Sequence, residues 1–158
     1  MTAYVALLRA VNVGGTGKLP MADLRAMCTD AGFTNVRTYI ASGNVVFHTN
    51  ATAQEAQAIL AAKLTPYAGK PVDILIRTAP ELAATLAENP FKDAPGNRVT
   101  ASFLDTQPTE ADLTAARHAK DEQIALGPRA IYVHYPSGMG SSKLALPAAQ
   151  KGTARNMN

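Results

Sequence analysis

The chain opens on an apolar run, residues 3–9, closed by Arg9, which suits a central and mostly buried strand. A turn with three glycines follows over residues 10–19, and Pro20 then begins a helix where its missing N–H costs least. Met21, Leu24, Met27, Cys28 and Ala31 recur at helical spacing, with Gly32 as the C-terminal stop and Phe33 beyond it. Residues 35–40 and 44–48 predict two strands joined by the tight connection Ala41-Ser42-Gly43. Thr52 is the expected N-cap of a helix running to residue 64, with Ala56, Ile59, Leu60 and Lys63 in register. Residues 66–71, bounded by prolines, break the chain before a fourth strand over 72–77. Strand, helix, strand, strand, helix, strand is the ferredoxin-like order.

The second half repeats that order less regularly. A short helix over 81–88 ends at Asn89-Pro90, and a loop rich in Pro, Gly and Asp leads to a strand over 99–104. A helix is expected over 108–120 with Thr109 as N-cap, then strands over 122–126 and 131–135 around Gly127-Pro128. Residues 141–149 have helical character limited by Pro147. The expected fold is therefore α+β: two ferredoxin-like (α/β-plait) subdomains, 1–80 and 81–158, each an antiparallel sheet with helices packed on one face.

Composition narrows the class. The 158 residues are 47% apolar with no tryptophan, enough for one sizeable core or two small ones and against disorder. No apolar run approaches the ~20 residues that cross a bilayer. The opening run lacks a basic region before it, so it reads as a strand rather than a signal peptide. A lone Cys28 excludes an internal disulfide, fits a reducing compartment, and lies on an apolar helix stripe that marks it as core rather than nucleophile. A cytoplasmic protein without membrane contact is expected.

The net charge of +3 is small, but its layout is informative. No acidic residue precedes Asp23 and none follows Glu122, whereas the two ends carry Arg9, Lys18, Arg129, Lys143, Lys151 and Arg155. If those ends meet, they form a cationic surface suited to phosphate or carboxylate; otherwise they are scattered solvated charge.

Three polar clusters are candidates for chemistry. In Arg9-Ala-Val-Asn12-Val-Gly14-Gly15-Thr16-Gly17-Lys18, a strand leads through glycines into a helix, a geometry that aims backbone N–H groups at an anion. The phosphate loop G-x-x-x-x-G-K-[ST] fails twice here: Asn12 replaces its first glycine and Leu19 its hydroxyl. The dinucleotide pattern G-x-G-x-x-G fails on spacing. The second cluster, Ser42-Gly43-Asn44, is also ordinary hairpin chemistry. The third comprises Ser141-Ser142-Lys143 and Thr153-Ala-Arg155-Asn156, with cations and amides but no carboxylate, so no carboxylate acid–base pair is indicated. His48, His118 and His134 show no metal-ligand spacing, so no metal and no cofactor are implied. An RNA-recognition strand would need a leading cation and several aromatics; residues 42–48 offer Phe47, with Tyr4 a partial echo.

Together these residues resemble a known family. Leu8-Arg9-Ala10-Val11-Asn12-Val13-Gly14-Gly15, Lys18, Pro20-Met21, Leu24-Arg25, Gly32-Phe33 and Tyr39-Ile40-Ala41-Ser42-Gly43-Asn44-Val45-Val46-Phe47 look like the bacterial family called domain of unknown function 1697. Lys143-Leu144 and Thr153-Ala154-Arg155-Asn156 match its C-terminal signature. The resemblance implies two ferredoxin-like subdomains and no established activity. Members usually continue past the last segment into a final helix, and this sequence ends at Asn158. The shared polar positions implied are Arg9, Asn12, Lys18, Ser42, Asn44, Lys143, Arg155 and Asn156.

The expectation is a protein that binds an anion: a nucleotide, a phosphorylated metabolite or a nucleic-acid backbone. Its site would join Arg9, Asn12, Gly14, Gly15, Lys18, Ser42 and Asn44 to Lys143, Arg155 and Asn156. Two alternatives belong to other classes. One is an enzyme using Lys18 or Lys143 as base or Schiff-base lysine, which requires a dry pocket. The other is an assembly module whose motifs only lock the subdomains together.

Overall fold

The computed structural model describes residues 1–9, 18–40 and 43–158. The chain divides into two compact units, Met1–Leu82 and Ala83–Asn158. In the first, β1 (Thr2–Leu8), α1 (Met21–Asp30), β2 (Thr34–Tyr39), β3 (Asn44–Thr49), α2 (Ala53–Ala68) and β4 (Ile74–Thr78) follow in order. The sheet runs β2-β3-β1-β4 with every neighbouring pair antiparallel, the ferredoxin-like arrangement.

Strand periodicity separates the faces of that sheet. Tyr4, Ala6 and Leu8 of β1 meet Phe47 and Val45 of β3 and Ile76 and Ile74 of β4 on one face. Leu24 and Cys28 of α1 and Ala56, Leu60 and Leu64 of α2 close over it as a single core. Phe33 stacks on Phe47 at 4.4 Å between ring centroids. Local caps fix where the helices stop and start. α1 ends in a Schellman motif: Gly32 takes a φ of 88°, its N–H donates to Thr29, and that of Phe33 donates to Cys28. Thr52 and Glu55 form a capping box at the start of α2.

α2 departs from the sequence expectation, because it runs through Pro66 to Ala68 rather than stopping at residue 64. Pro66 forfeits one backbone hydrogen bond there, and buried Leu64 holds the last turn against the core. Gly69, left-handed at φ 72°, then caps it by donating to Thr65. That extra turn shapes the candidate site.

In the second unit β5 (Val99–Phe103), α4 (Glu110–Thr114), β6 (Gln123–Gly127), β7 (Ala130–His134), α5 (Pro147–Gln150) and β8 (Thr153–Asn156) follow α3 (Ala79–Ala87), which spans the division. The order β6-β7-β5-β8 repeats the first sheet. Leu104, Ile131, Val133 and Leu146 form the core on one face. On the other, buried Tyr132 donates its hydroxyl to the Thr85 carbonyl of α3 at 2.6 Å. Burial, with help from Glu88, pushes that phenol's pKa up to about 12.

Three sequence expectations change here. The helix expected over 108–120 is only the five residues of α4, because Arg117 leaves it to exchange backbone hydrogen bonds with Ala145 at 2.8 Å in both directions. Helix over 141–149 shrinks to α5, which Pro147 begins rather than limits. The segment Thr153–Asn156, for which no strand was expected, is edge strand β8, paired antiparallel with β5.

Candidate functional site

In an antiparallel β1–β4 pair the end of one strand meets the start of the other, and Leu8 lies opposite Ile74. The next residue, Arg9, donates its backbone N–H to the Asp73 carbonyl at 3.0 Å, and its guanidinium lies 3.5 Å from the Asp73 carboxylate. Above this corner stands the last turn of α2, from which the Gly69 cap swings the chain into Lys70 and Pro71. Lys18 enters from the other side, tied down by its neighbour Leu19, which is buried in the core.

These elements enclose a cleft of about 420 Å³. Its polar lining is Arg9, Lys18, Lys70, Asp73 and Tyr67; its apolar lining includes Leu19, Leu64, Ala68 and Val72. Three cations therefore face one carboxylate. The Arg9–Asp73 pair is solvent-accessible, with side chains 39% and 73% exposed, so its strength is ~0–1 kcal/mol and a ligand anion can compete for the guanidinium. Tyr67 is fixed by a 2.6 Å hydrogen bond from its hydroxyl to the Asp23 carboxylate, which raises the phenol's pKa above its ordinary value.

The structure brings only some of the sequence candidates to this cleft. Arg9 and Lys18 line it. Asn12, Gly14, Gly15 and Ser42 lie outside the described residues. Asn44 is buried at the same end of the sheet, where its amide donates to the Tyr39 carbonyl at 3.0 Å and closes the β2–β3 hairpin. Next to it, the Leu8 N–H donates to the Gly43 carbonyl at 2.8 Å. Lys143, Arg155 and Asn156 belong to the second unit. Arg155 sits on β8 opposite Ala101 and donates to the Ala154 carbonyl; burial lowers its pKa, though a guanidinium stays charged at neutral pH. Asn156 is exposed and its side-chain oxygen accepts from the Asn158 N–H at 3.4 Å.

Sequence reading missed Lys70, Tyr67 and Asp73, all in or beside the segment read as a chain break. The available signal was topological: the ferredoxin-like order makes β4 the neighbour of β1, so residues entering β4 must meet Arg9.

Several chemistries lose ground. The amines of Lys18 and Lys143 are exposed, without the dry surroundings that a lysine base or Schiff-base lysine requires. Phe47 and Tyr4 are buried in the core, so neither ring is available to stack a base and the RNA-recognition pattern has no surface. Among the described residues no group of three His, Cys, Asp or Glu side chains gathers as a metal site, and no helix is long and apolar enough to cross a membrane. Burial pushes the Cys28 thiol up to about 12. Native protein is therefore expected to resist iodoacetamide for hours at pH 8 and to label at once in denaturant; rapid native labelling would contradict this burial.

The sequence profile described as "Protein of unknown function (DUF1697)" matches residues 1–132. Among solved structures, the chain is similar to the conserved bacterial protein SP0830 from Streptococcus pneumoniae, with 25% sequence identity and a TM-score of 0.78. That similarity covers 98% of this chain and 92% of the other. No curated protein matches this chain.

Proposed function

The chain belongs to the DUF1697 family of proteins of unknown function, which assigns it no chemistry, and we propose from its geometry that it binds a small phosphate-bearing anion. The observation that supports this reading is the cleft of the first unit, where Arg9, Lys18 and Lys70 outnumber Asp73. The segment between Arg9 and Lys18 contains no carboxylate, so the sequence adds no opposing charge there. The volume of about 420 Å³ falls within the ~300–1,000 Å³ of small-molecule pockets. A nucleic-acid backbone would instead call for a cationic stripe that tracks successive phosphates. The reading rests on the first unit; Lys143, Arg155 and Asn156 are not required for it.

Thermal shift and calorimetry over a panel of nucleotides, sugar phosphates and inorganic phosphate test it. At least one phosphorylated compound is expected to bind. Arg9→Ala and Lys70→Ala should each weaken it by roughly tenfold or more, the scale of a charge-assisted hydrogen bond. Both losses should shrink as salt rises. Silence across the whole panel, or binding indifferent to both substitutions, would overturn the proposal.

A further inference from the structure

The same cleft carries a more specific identity for its ligand, and we infer that it takes a nucleoside monophosphate, an inference that rests on the anion-binding reading above. The first argument is charge. Arg9, Lys18 and Lys70 against Asp73 in the lining leave a net positive charge, part of it offset by the Asp23 carboxylate beside Tyr67, and that excess favours the ≈ −1.5 to −2 of a phosphate monoester at neutral pH. A triphosphate would bring more negative charge than these cations offset.

The second argument is the other half of the lining. Ala68, Pro71 and Val72 present exposed or half-buried apolar surface beside the cationic rim, which a small, wholly polar anion would leave in contact with water. An amphipathic ligand with a flat, weakly polar body covers it. Tyr67 adds the surface that such a body needs: the residue lines the cleft and is 45% exposed, while the hydrogen bond to Asp23 holds the phenol in one orientation. An aromatic ring held in advance loses little entropy when a base stacks on it. The exposed Asp73 carboxylate completes the set as an acceptor for a ligand hydroxyl pair, the role an acidic residue plays against ribose in dinucleotide folds.

Calorimetry at low salt with adenosine and guanosine monophosphates, ribose 5-phosphate and inorganic phosphate discriminates these ideas. One or both nucleoside monophosphates should bind at least about tenfold tighter than ribose 5-phosphate, the lower part of what base–aromatic stacking contributes. Tyr67→Leu should erase that advantage while leaving ribose 5-phosphate affinity within about twofold, and Tyr67→Phe should keep most of it, losing only the share due to the ring's fixed orientation. Both variants lose the Asp23 hydrogen bond, so their difference isolates the ring, and exposed Tyr67 tolerates either change without unfolding. If ribose 5-phosphate binds as tightly as the nucleotides and Arg9→Ala abolishes both, the nucleotide inference falls and anion binding stands. If nucleotides bind tighter but Tyr67→Leu preserves the advantage, the inference also falls. If nothing binds, both readings fall.

Discussion

Replacing Phe47 with alanine is expected to destabilise the first unit by ~3–5 kcal/mol, the range for truncating a fully buried aromatic. Phe47 lies on β3 with none of its surface exposed, opposite Tyr4 of β1. Its ring stacks on Phe33 with planes 9° apart and meets Tyr4 at a centroid distance of 6.0 Å. The loss therefore combines three effects: apolar area returned to a cavity, aromatic pairing worth ~0.5–1.5 kcal/mol, and poor collapse of the site. Collapse is hindered because Phe33 is positioned by the Schellman stop of α1 and Tyr4 by its hydrogen bond to the Ala51 carbonyl at 3.2 Å. Urea unfolding followed by circular dichroism should show an earlier midpoint, with hydrogen-exchange protection falling in β1 and β3. A shift below ~1 kcal/mol would mean that the core repacks around the gap.

The second large effect comes from adding one methyl group. Gly152→Ala is expected to cost about 3 kcal/mol, the upper end of ordinary overpacking. A Cβ at Gly152 would run into the backbone carbonyl oxygen of Phe103 and the Leu104 side chain. The obstacle is backbone, so no rotamer change relieves it. Phe103 belongs to β5, held between β7 and β8, and Thr153 pairs with it directly after the glycine. Relief therefore requires β8 to shift out of register. Equilibrium unfolding together with exchange at the β5 and β8 amides reads the effect, and an alanine variant within ~0.5 kcal/mol of the parent would show that β8 moves freely.

Much of the fold was legible in the sequence because its signals are local. Apolar periodicity, the Gly32 stop and the Thr52 cap each fix one element through hydrogen bonds within a few residues, and the resulting order allowed only a few topologies. The errors fell where distant backbone took over. α4 stops early because Arg117 pairs with Ala145, and the cluster at Thr153–Asn156 became a strand because β5 had an open edge to fill. Neither partner is visible from propensity within one segment.

The candidate site divides the same way. Sequence alone determined the ferredoxin-like strand order of the first unit, a carboxylate-free approach to Lys18, and the absence of the Walker and dinucleotide patterns, because these depend on residue type and spacing. Tertiary structure alone decided which residues share a cleft. Pairing β1 with β4 sets Arg9 against Asp73, and carrying α2 one turn past Leu64 brings Tyr67 and Lys70 beside them. Those contacts join residues more than fifty positions apart, and only the sheet's antiparallel register determines where such distant segments meet.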